Sequence, residues 1–489
     1  MRGGAGRASR VATRLGAGAA VLLLIAGSCS EAAPPGPVHP GLDKIEHIIM
    51  IMQENRSFDS YFGTFPGADG IPMKDGEPRV CIPNSRLGTC VQPFHDPNDV
   101  NLGGPHDYDD ALQVVANGRM NGFVDAAYDQ PLGLLNGADG PAGKLRAEIC
   151  STDPERDICA RPDLMGWHDA REIPNYWKYA EEFVLQDAMF EPNWGPSEPA
   201  HLYMVSGWSA SCTDPEDPGT CTTNLSRPDP ESPREQDEEP DFGWTDLTYL
   251  LHRRGVSWAY YIDPVHEPGC DEEGVFCGPD QDIAGTPNIW NPLPDFVTVH
   301  DNDQLSNIRP STDFFQALED DTLPAVTWIM PNAENSEHPP SPVSSGQAWV
   351  TRLINAIGRS KAWENSVIMV AWDDWGGFYD HVVPPPVRDG LGYGIRVPAF
   401  MVSPYAKQGM IDHQTLTFDA WLKFIEDVFL NGERLDPETD GRWDPRPSVR
   451  EEEPGLGDLI KEFDFSQEPR EPLILPEHPP PGPASIPGT

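Results

Sequence analysis

Basic residues are scarce in this chain of 489 residues: 34 Lys and Arg stand against 78 Asp and Glu, which gives a formal net charge of −44. Proteins that bind nucleic acid hold its phosphates with clustered Lys and Arg side chains, and the sequence contains no such cluster. The same deficit argues against electrostatic attachment to an anionic membrane. Hydrophobic residues still make up 38% of the chain and 14 residues are Trp, which excludes a disordered acidic chain.

Long hydrophobic runs are also lacking, and the apolar run near the start is too short to span a bilayer as a stable helix. Residues 1–28 carry four Arg residues and no acid around the apolar run Ala19–Gly27, which is the pattern of an export signal. The run ends in AGSC, residues 26–29, which is similar to a bacterial lipobox. We therefore expect an exported protein of the cell envelope, anchored by lipid at Cys29. The alternative is ordinary cleavage nearby, followed by secretion.

Cysteine is sparse, and neither a CxxC motif nor clustered His accompanies it, so a zinc site is a weak interpretation. Of the nine Cys residues, eight form pairs at short separations and Cys29 is left over. Close spacing inside loops rich in Pro, Gly and Asp favours local disulfides that hold surface loops. The predicted disulfides are Cys81–Cys90, Cys150–Cys159, Cys212–Cys221 and Cys270–Cys277.

Apolar runs recur along the chain and indicate strands that are buried on both faces. The predicted strands are Ile48–Met52, Phe183–Phe190, Ser257–Ile262, Ala325–Met330, Ser366–Trp372 and Val397–Val402. Between several of them lie stretches that favour helix, which are Ile173–Glu182, Gln347–Ile357 and Thr415–Leu430. Buried strands that alternate with helices predict an α/β domain with a largely parallel central sheet, flanking helices and disulfide-held loop insertions.

Composition divides the chain into four regions. Residues 1–28 are the predicted signal peptide, and residues 29–42 form a Pro-rich tether. Residues 43–432 contain the predicted strands and helices and form the main folded domain. Residues 433–489 are rich in Pro and acid, and we expect this tail to wrap the surface or stay mobile.

Acidic and amide side chains follow two of the predicted strands directly. Glu54 and Asn55 follow the first strand, and Asp373 and Asp374 follow the strand that ends at Trp372. Ligands of open α/β sheets bind beyond the carboxyl ends of the strands, where two adjacent acids repel each other unless a cation neutralises them. Oxygen donors favour Ca²⁺, Mg²⁺ or Mn²⁺. The alternative is that Asp373 caps the next turn and Asp374 is solvated.

Six segments resemble the successive blocks of one protein family, running in order from about residue 44 to residue 430. They are IEHIIMIMQENRSFDSYFG, GGPHDYDDALQVVANGRMNGF, GPSEPAHLYMVSG, SEHPPSPVSSGQAWV, VAWDDWGGFYDHVVPP and RVPAFMVSPYAK. Together they resemble the phosphoesterase family of bacterial phospholipases C, the related acid phosphatases and the plant non-specific phospholipases C. That family has a fold similar to alkaline phosphatase. The resemblance implies that residues 43–432 are a phosphoesterase catalytic domain.

The resemblance also implies a metal site and a nucleophile. One divalent metal ion would have five protein ligands, which are Glu54, Asn55, Asp373, Asp374 and Ser197. Ser197 would also be the hydroxyl nucleophile; from the sequence itself it is the predicted N-cap of a helix, whose N-terminus favours phosphate. The family carries Asn-Arg where this chain has Ala200-His201, and this departure changes the expected phosphate or leaving-group contacts.

Two histidines match positions that line the family's site. The resemblance assigns His106 and His338 to stabilising the phosphoryl oxygens and protonating the leaving group, with the order of the two roles open. Asp380 and His381 follow the acidic pair by a few residues, and we expect them to surround the metal ligands rather than to bind the ion.

These implications predict an exported, metal-dependent phosphoric ester hydrolase that acts through a phosphoserine intermediate. Phospholipid diesters and phosphomonoesters are both open as substrates. A sulfatase is disfavoured, because no Cys or Ser lies in the Cys/Ser-x-Pro-x-Arg context of sulfatases. The alternative from another class is a lipid-anchored protein of the same fold that binds phosphate esters with little turnover.

Overall fold

A computed structural model of the protein describes Met1 and residues 39–129, 162–226, 228, 240–263 and 288–486. From residue 39 onward, these residues belong to one compact unit, Pro37–Thr489. The predicted signal peptide, the lipid-anchor residue Cys29 and most of the tether lie outside the described residues. So do the predicted pairs Cys150–Cys159 and Cys270–Cys277.

An eight-stranded sheet forms the centre of the fold. In chain order its strands are β1 (His47–Gln53), β2 (Val184–Gln186), β3 (Trp258–Ile262), β4 (Ile308–Pro310), β5 (Val326–Met330), β6 (Ser366–Trp372), β7 (Ala399–Val402) and β8 (Met410–Asp412). They lie side by side in the order β4-β3-β5-β1-β6-β7-β2-β8. Strand β7 is antiparallel to both neighbours, and every other neighbouring pair is parallel. The predicted α/β class with a largely parallel sheet is confirmed.

Helices flank the sheet, and short strand pairs lie in the loops. The helices are α1 (Phe58–Phe62), α2 (Tyr108–Val115), α3 (Phe123–Asp129), α4 (Pro174–Glu182), α5 (Ser197–Ser206), α6 (Leu247–Arg254), α7 (Val297–Asp301), α8 (Ser311–Glu319), α9 (Val343–Arg359) and α10 (Phe418–Phe429). The short pairs are Met73–Lys74 with Glu77–Pro78, Ile82–Asn84 with Thr89–Val91, Phe94–His95 with Gly166–Trp167, and Ala210–Cys212 with Cys221–Thr223.

Helix α5 is unusual because all ten of its residues are buried. Its central residues Leu202–Val205 are apolar or aromatic, and a helix without a polar face has to be enclosed by protein. The helix ends at Gly207, whose positive φ of 64° is the left-handed conformation that glycine adopts at helix ends. The burial of α5 carries its first residue, Ser197, into the interior of the molecule.

The sequence predictions of the strands differ from the structure mainly at the margins of the sheet. The apolar run Phe183–Phe190 pairs as a strand only over Val184–Gln186, and Met189 and Phe190 form isolated bridges. The edge strands β4 and β8 have three residues each and were not predicted. Short, partly exposed strands have neither the length nor the apolar pattern of the central ones.

Two of the predicted disulfides are present. Cys81–Cys90 and Cys212–Cys221 each join two paired neighbouring segments across a short loop. Structural disulfides are typical of proteins that mature in an oxidising compartment. Among the described residues, no helix combines the length and the hydrophobicity that a membrane span needs.

The C-terminal segment, residues 433–486, lies against the rest of the fold. Asn355 donates a hydrogen bond to the carbonyl of Leu475 at 2.8 Å. Near the end of the segment, Ser485 Oγ shares a hydrogen bond with Thr64 Oγ1 at 2.8 Å and donates another to Asp169 at 2.8 Å. The predicted domain boundary at residue 432 therefore falls inside one compact unit, and it stays a prediction about composition.

Candidate active site

The site lies at the carboxyl edge of the central strands. Strand β1 lies between β5 and β6 and is parallel to both, so the residues that follow these strands emerge at the same edge. The backbone N–H of Asn55 donates to Asp373 Oδ1 at 3.0 Å, and the N–H of Arg56 donates to the carbonyl of Asp374 at 3.0 Å. The two acidic pairs of the sequence, more than 300 residues apart, are thereby brought together.

Ser197 reaches both acidic pairs from the buried helix α5. Its Oγ donates hydrogen bonds to Glu54 Oε2 at 3.2 Å and to Asp374 Oδ2 at 3.1 Å. The prediction that Ser197 is the N-cap is wrong: Pro196 is the N-cap, and Ser197 is the first helical residue. The hydroxyl of Ser197 faces the two carboxylates and makes no cap hydrogen bond to the helix.

The acidic group combines three carboxyl side chains away from solvent. Glu54, Asp373 and Asp374 are all fully buried. Burial and the neighbouring Asp373 carboxylate raise the pKa of Glu54 well above its ordinary value and raise the pKa of Asp374 to about 8. Raised pKa values of this kind are expected where neighbouring carboxylates repel one another away from water.

The side-chain oxygens of the group also have room for a ligand. Within the described part of the chain, Asn55 Oδ1 and Asp373 Oδ2 are buried and have no hydrogen-bond partner. Buried acceptors are ordinarily satisfied, and a divalent cation would give both a partner and the missing charge. The residues present therefore fit an oxygen-liganded metal ion.

His201 belongs to the same group, although the sequence predicted no role for it. Its Nε2 lies 3.0 Å from Glu54 Oε1 and 3.9 Å from Asp373 Oδ2. Donor atoms of Glu54, His201 and Asp373 all lie within 4.8 Å of one another, a spacing that suits a metal ion. The available signal was its position four residues after Ser197, which places both side chains on one face of a helix.

His106 and His338 approach this group from different loops. His106 Nδ1 donates to the carbonyl of Gly104 at 2.9 Å, so its Nε2 accepts from the amide of Asn55 at 3.0 Å. His338 Nδ1 donates to the carbonyl of Pro339 at 2.9 Å, and the centroids of the two imidazole rings are 6.3 Å apart. Burial and the neighbouring His106 lower the pKa of His338 to about 4.

A buried carboxylate that the sequence did not predict supports His338. Glu337 accepts hydrogen bonds from the hydroxyls of Tyr61 and Tyr176, both at 2.5 Å, and from Trp372 Nε1 at 3.1 Å. Burial raises the pKa of Glu337 to about 7. Glu337 thus ties the loop that carries His338 to α1, α4 and β6.

A glycine after the second acidic pair allows the loops to approach closely. Gly376 has a φ of 57°, and a Cβ there would lie 2.5 Å from the carbonyl oxygen of Asn55. Its N–H donates to Asp374 Oδ1 at 2.7 Å, and its carbonyl accepts from the N–H of Gly104 at 3.0 Å. This one residue therefore contacts the segments that carry Asn55, Asp374 and His106.

Asp380 and His381 make their hydrogen bonds elsewhere. The guanidinium of Arg396 donates to both oxygens of Asp380 at 3.0 Å and to Asp59 Oδ1 at 3.1 Å. His381 Nδ1 lies 2.8 Å from Asp59 Oδ2. This buried ion cluster holds the loop after β6 against α1, and a role beside the metal ligands stays a prediction.

One protein family and several known proteins are similar to this chain. The model of the Phosphoesterase family matches residues 45–430. Phospholipase C B of Mycobacterium tuberculosis (strain ATCC 25618 / H37Rv) is 27% identical over 440 residues, covering 84% of this chain and 78% of that protein. The non-hemolytic phospholipase C of Pseudomonas aeruginosa is 26% identical over 447 residues, with 81% and 56% covered, and non-specific phospholipase C6 of Arabidopsis thaliana is 23% identical over 410 residues, with 76% and 64% covered.

Among solved structures, this chain is similar to the phosphonate monoester hydrolase of Agrobacterium radiobacter. The TM-score is 0.30 and the identity 12%, over 57% of this chain and 74% of that one. A member of the alkaline phosphatase superfamily from Vibrio parahaemolyticus has a TM-score of 0.30 and the same identity, over 55% and 62%.

The family match and the phospholipase C relatives place the chain in the class of hydrolases that act on phosphoric esters. Its buried serine lies against paired acids at the carboxyl edge of an α/β sheet. The family model spans most of the chain, and the chain belongs to the Phosphoesterase family.

Proposed function

We propose that this hydrolase is an exported, metal-dependent enzyme of the phospholipase C type, with Ser197 as its nucleophile. The observation that carries the proposal is the contact of Ser197 Oγ with Asp374 at 3.1 Å and with Glu54 at 3.2 Å. The names of the relatives support a phospholipid or a related phosphate ester as substrate. An acidic chain without basic clusters does not favour nucleic acid as the phosphate ester.

A divalent cation is the expected cofactor, held by Glu54, Asn55, Asp373 and Asp374. It would lower the pKa of the serine hydroxyl and offset the charge of the phosphoryl oxygens. The donor atoms are mainly oxygens, which suit Ca²⁺, Mg²⁺ or Mn²⁺.

The side chains of the site carry out the proton transfers and the attack on phosphorus. Ser197 Oγ gives its proton to one of the carboxylates that it contacts and attacks phosphorus, while the bond between phosphorus and the leaving oxygen breaks. His338 or His106 supplies a proton to the leaving oxygen. Water then hydrolyses the phosphoserine and restores the Ser197 hydroxyl. The buried position of Ser197 limits competing attack by bulk water on the ester.

Export rests on the signal pattern of residues 1–28 and is supported by the two disulfides of the described residues. The lipobox-like sequence AGSC favours lipid attachment at Cys29, and this lipid would anchor the protein to a membrane. Mass spectrometry of the protein from its native host would show Cys29 as the acylated first residue. An unmodified N-terminus elsewhere would remove the anchor and leave a secreted enzyme.

Turnover of two substrates tests the function. A choline-phosphate diester and a phosphomonoester are each offered to the full chain, with and without a metal chelator. We expect faster hydrolysis of the diester, loss of both activities with chelator, and radiolabelled phosphocholine on Ser197 after acid quenching during turnover of the diester. Activity that persists after complete metal removal would overturn metal dependence. Binding of both esters without hydrolysis would support the alternative, a phosphate-ester-binding protein.

A further inference from the structure

We infer that Nε2 of His201 is itself a ligand of the catalytic metal ion, and that the site therefore prefers transition metal ions such as Zn²⁺ or Fe²⁺ to Ca²⁺ and Mg²⁺. The inference deepens the proposed function and rests on its metal dependence. At positions 200 and 201 this chain has Ala-His where its family has Asn-Arg. The protonated guanidinium of an arginine offers no lone pair to a metal, whereas the imidazole of His201 does.

The distances among the donor atoms match one coordination shell. In an octahedral shell with bonds of about 2.1 Å, neighbouring donor atoms are about 3.0 Å apart. Nε2 of His201 lies 3.0 Å from Glu54 Oε1, and Ser197 Oγ lies 3.2 Å from Glu54 Oε2 and 3.1 Å from Asp374 Oδ2. His201 thus occupies the place of a neighbouring ligand beside Glu54.

The surroundings of the imidazole direct Nε2 toward the carboxylates. His201 is fully buried, and its ring stacks on Trp290 with centroids 6.4 Å apart and planes inclined by 19°. Within the described part of the chain, Nδ1 has no hydrogen-bond partner, so the ring is oriented by Trp290 and by the contact of Nε2 with Glu54. Without a cation, Nε2–H donates to Glu54 Oε1 at 3.0 Å. A metal ion among the carboxylates would take the lone pair of Nε2 instead and leave the ring proton on Nδ1.

A nitrogen ligand changes which ions the site selects. Carboxylate and amide oxygens suit Mg²⁺, Ca²⁺ and Mn²⁺, whereas imidazole adds affinity for Fe²⁺, Co²⁺ and Zn²⁺. An otherwise oxygen-rich site that gains one imidazole therefore shifts toward the later ions of the first transition row.

The direct test is pulsed electron paramagnetic resonance of the full chain loaded with Mn²⁺. We expect ¹⁴N modulation from a coordinated imidazole in the wild type. His201→Asn should abolish this signal, whereas His413→Asn should retain it. His413 is the matched control because its exposed ring contacts Asp187 at 2.8 Å.

Metal affinity provides a readout that is independent of the spectrum. In competition with a chromophoric chelator, His201→Asn should weaken Zn²⁺ binding by at least about 100-fold and Mg²⁺ binding by less than about threefold. Parallel losses for both ions would mean that His201 only orients Glu54, and would overturn the inference. A wild-type spectrum without ¹⁴N modulation overturns the inference even where the variant fails to fold.

The outcomes separate this inference from the proposed function. Bound Mn²⁺ without ¹⁴N modulation in the wild type overturns His201 as a ligand and leaves metal-dependent hydrolysis standing. Failure of the wild type to bind Mn²⁺, Zn²⁺ or Mg²⁺ overturns both. Modulation that survives in His201→Asn assigns the nitrogen to another residue and rejects His201.

Discussion

The side-chain amide of Asn55 donates a hydrogen bond to Nε2 of His106 across 3.0 Å. Because Nδ1 of His106 donates to Gly104, both nitrogens of this ring are engaged. In His338 the described hydrogen bond of the ring is that of Nδ1 to Pro339. His338 therefore has the ring nitrogen that is better placed to meet a substrate. With a pKa of about 4 its ring is neutral near pH 7, so it can protonate the leaving group only if a bound phosphate raises that pKa, and its role as the proton donor stays a prediction.

Replacement of His338 by Ala should lower kcat by roughly 10²–10⁴-fold for an ester with a poor leaving group, since that oxygen needs a proton as the bond to phosphorus breaks. For a p-nitrophenyl ester the loss should be much smaller, because p-nitrophenolate leaves without one. Steady-state rates of the wild type and of His338→Ala, measured on both esters, check this prediction. Equal losses on the two esters would identify His338 as a phosphate-binding residue.

Ser197→Ala should reduce turnover by about 10³-fold or more and leave the fold intact. The hydroxyl of Ser197 contacts the acids of the site and does not cap α5, so its loss removes little stability. Ser206→Ala is the matched control, since Ser206 is a buried serine at the other end of the same helix. Rates and thermal unfolding of both variants check this prediction. Wild-type activity in Ser197→Ala would exclude it as the nucleophile.

Gly376→Ala should disable the site more than its backbone strain alone explains. Gly376 and Gly390 both have a positive φ, 57° and 79°, so an alanine is strained at either position. A Cβ at Gly376 would lie 2.5 Å from the carbonyl oxygen of Asn55, whereas one at Gly390 would meet nothing within 4 Å. The strain at φ > 0 should lower the free energy of unfolding of both variants by about 1–3 kcal/mol. Only Gly376→Ala should lose metal binding, measured by calorimetry; an equal loss in Gly390→Ala would contradict a local effect on Asn55.

The ion cluster at His381 should make stability depend on pH. Burial lowers the pKa of His381, but the carboxylates of Asp59 and Asp380 outweigh it and raise the pKa to about 9. An unfolded His titrates near 6.5, so the stabilisation by protonated His381 is complete below about pH 6.5 and is lost as the pH rises through about 9. The free energy of unfolding in urea should therefore fall more between pH 6.5 and pH 9.5 for the wild type than for His381→Asn. Identical pH profiles would reject the shifted pKa.

The central strands and the acidic pairs could be predicted because each has a local signal. Strands β1 and β6 are apolar along almost their whole length, and the side chains Glu54, Asn55, Asp373 and Asp374 follow them directly. The parallel arrangement of neighbouring strands then brings both pairs to one edge.

The remaining parts of the site depend on contacts between distant segments. Glu337 is a buried acceptor only because Tyr61 and Tyr176 lie against it, at sequence separations of 276 and 161 residues. The spacing of Ser197 and His201 predicts a shared helix face but not that this face is turned toward Glu54. Ser197 also has the residue type of an N-cap, but it lies one residue inside the helix, where its hydroxyl contacts two carboxylates.

The hydrogen bond between Thr64 and Ser485 spans 421 positions, and it has a consequence for the order in which the protein is made. Thr64 and Asp169 are synthesised long before Ser485. Neither side chain can therefore bind Ser485 while the intervening residues are being added. Contacts of such separation form late in folding, because closing a very long loop costs conformational entropy. Thr64 and Asp169 therefore lack this hydrogen-bond partner until the C-terminal segment has been synthesised.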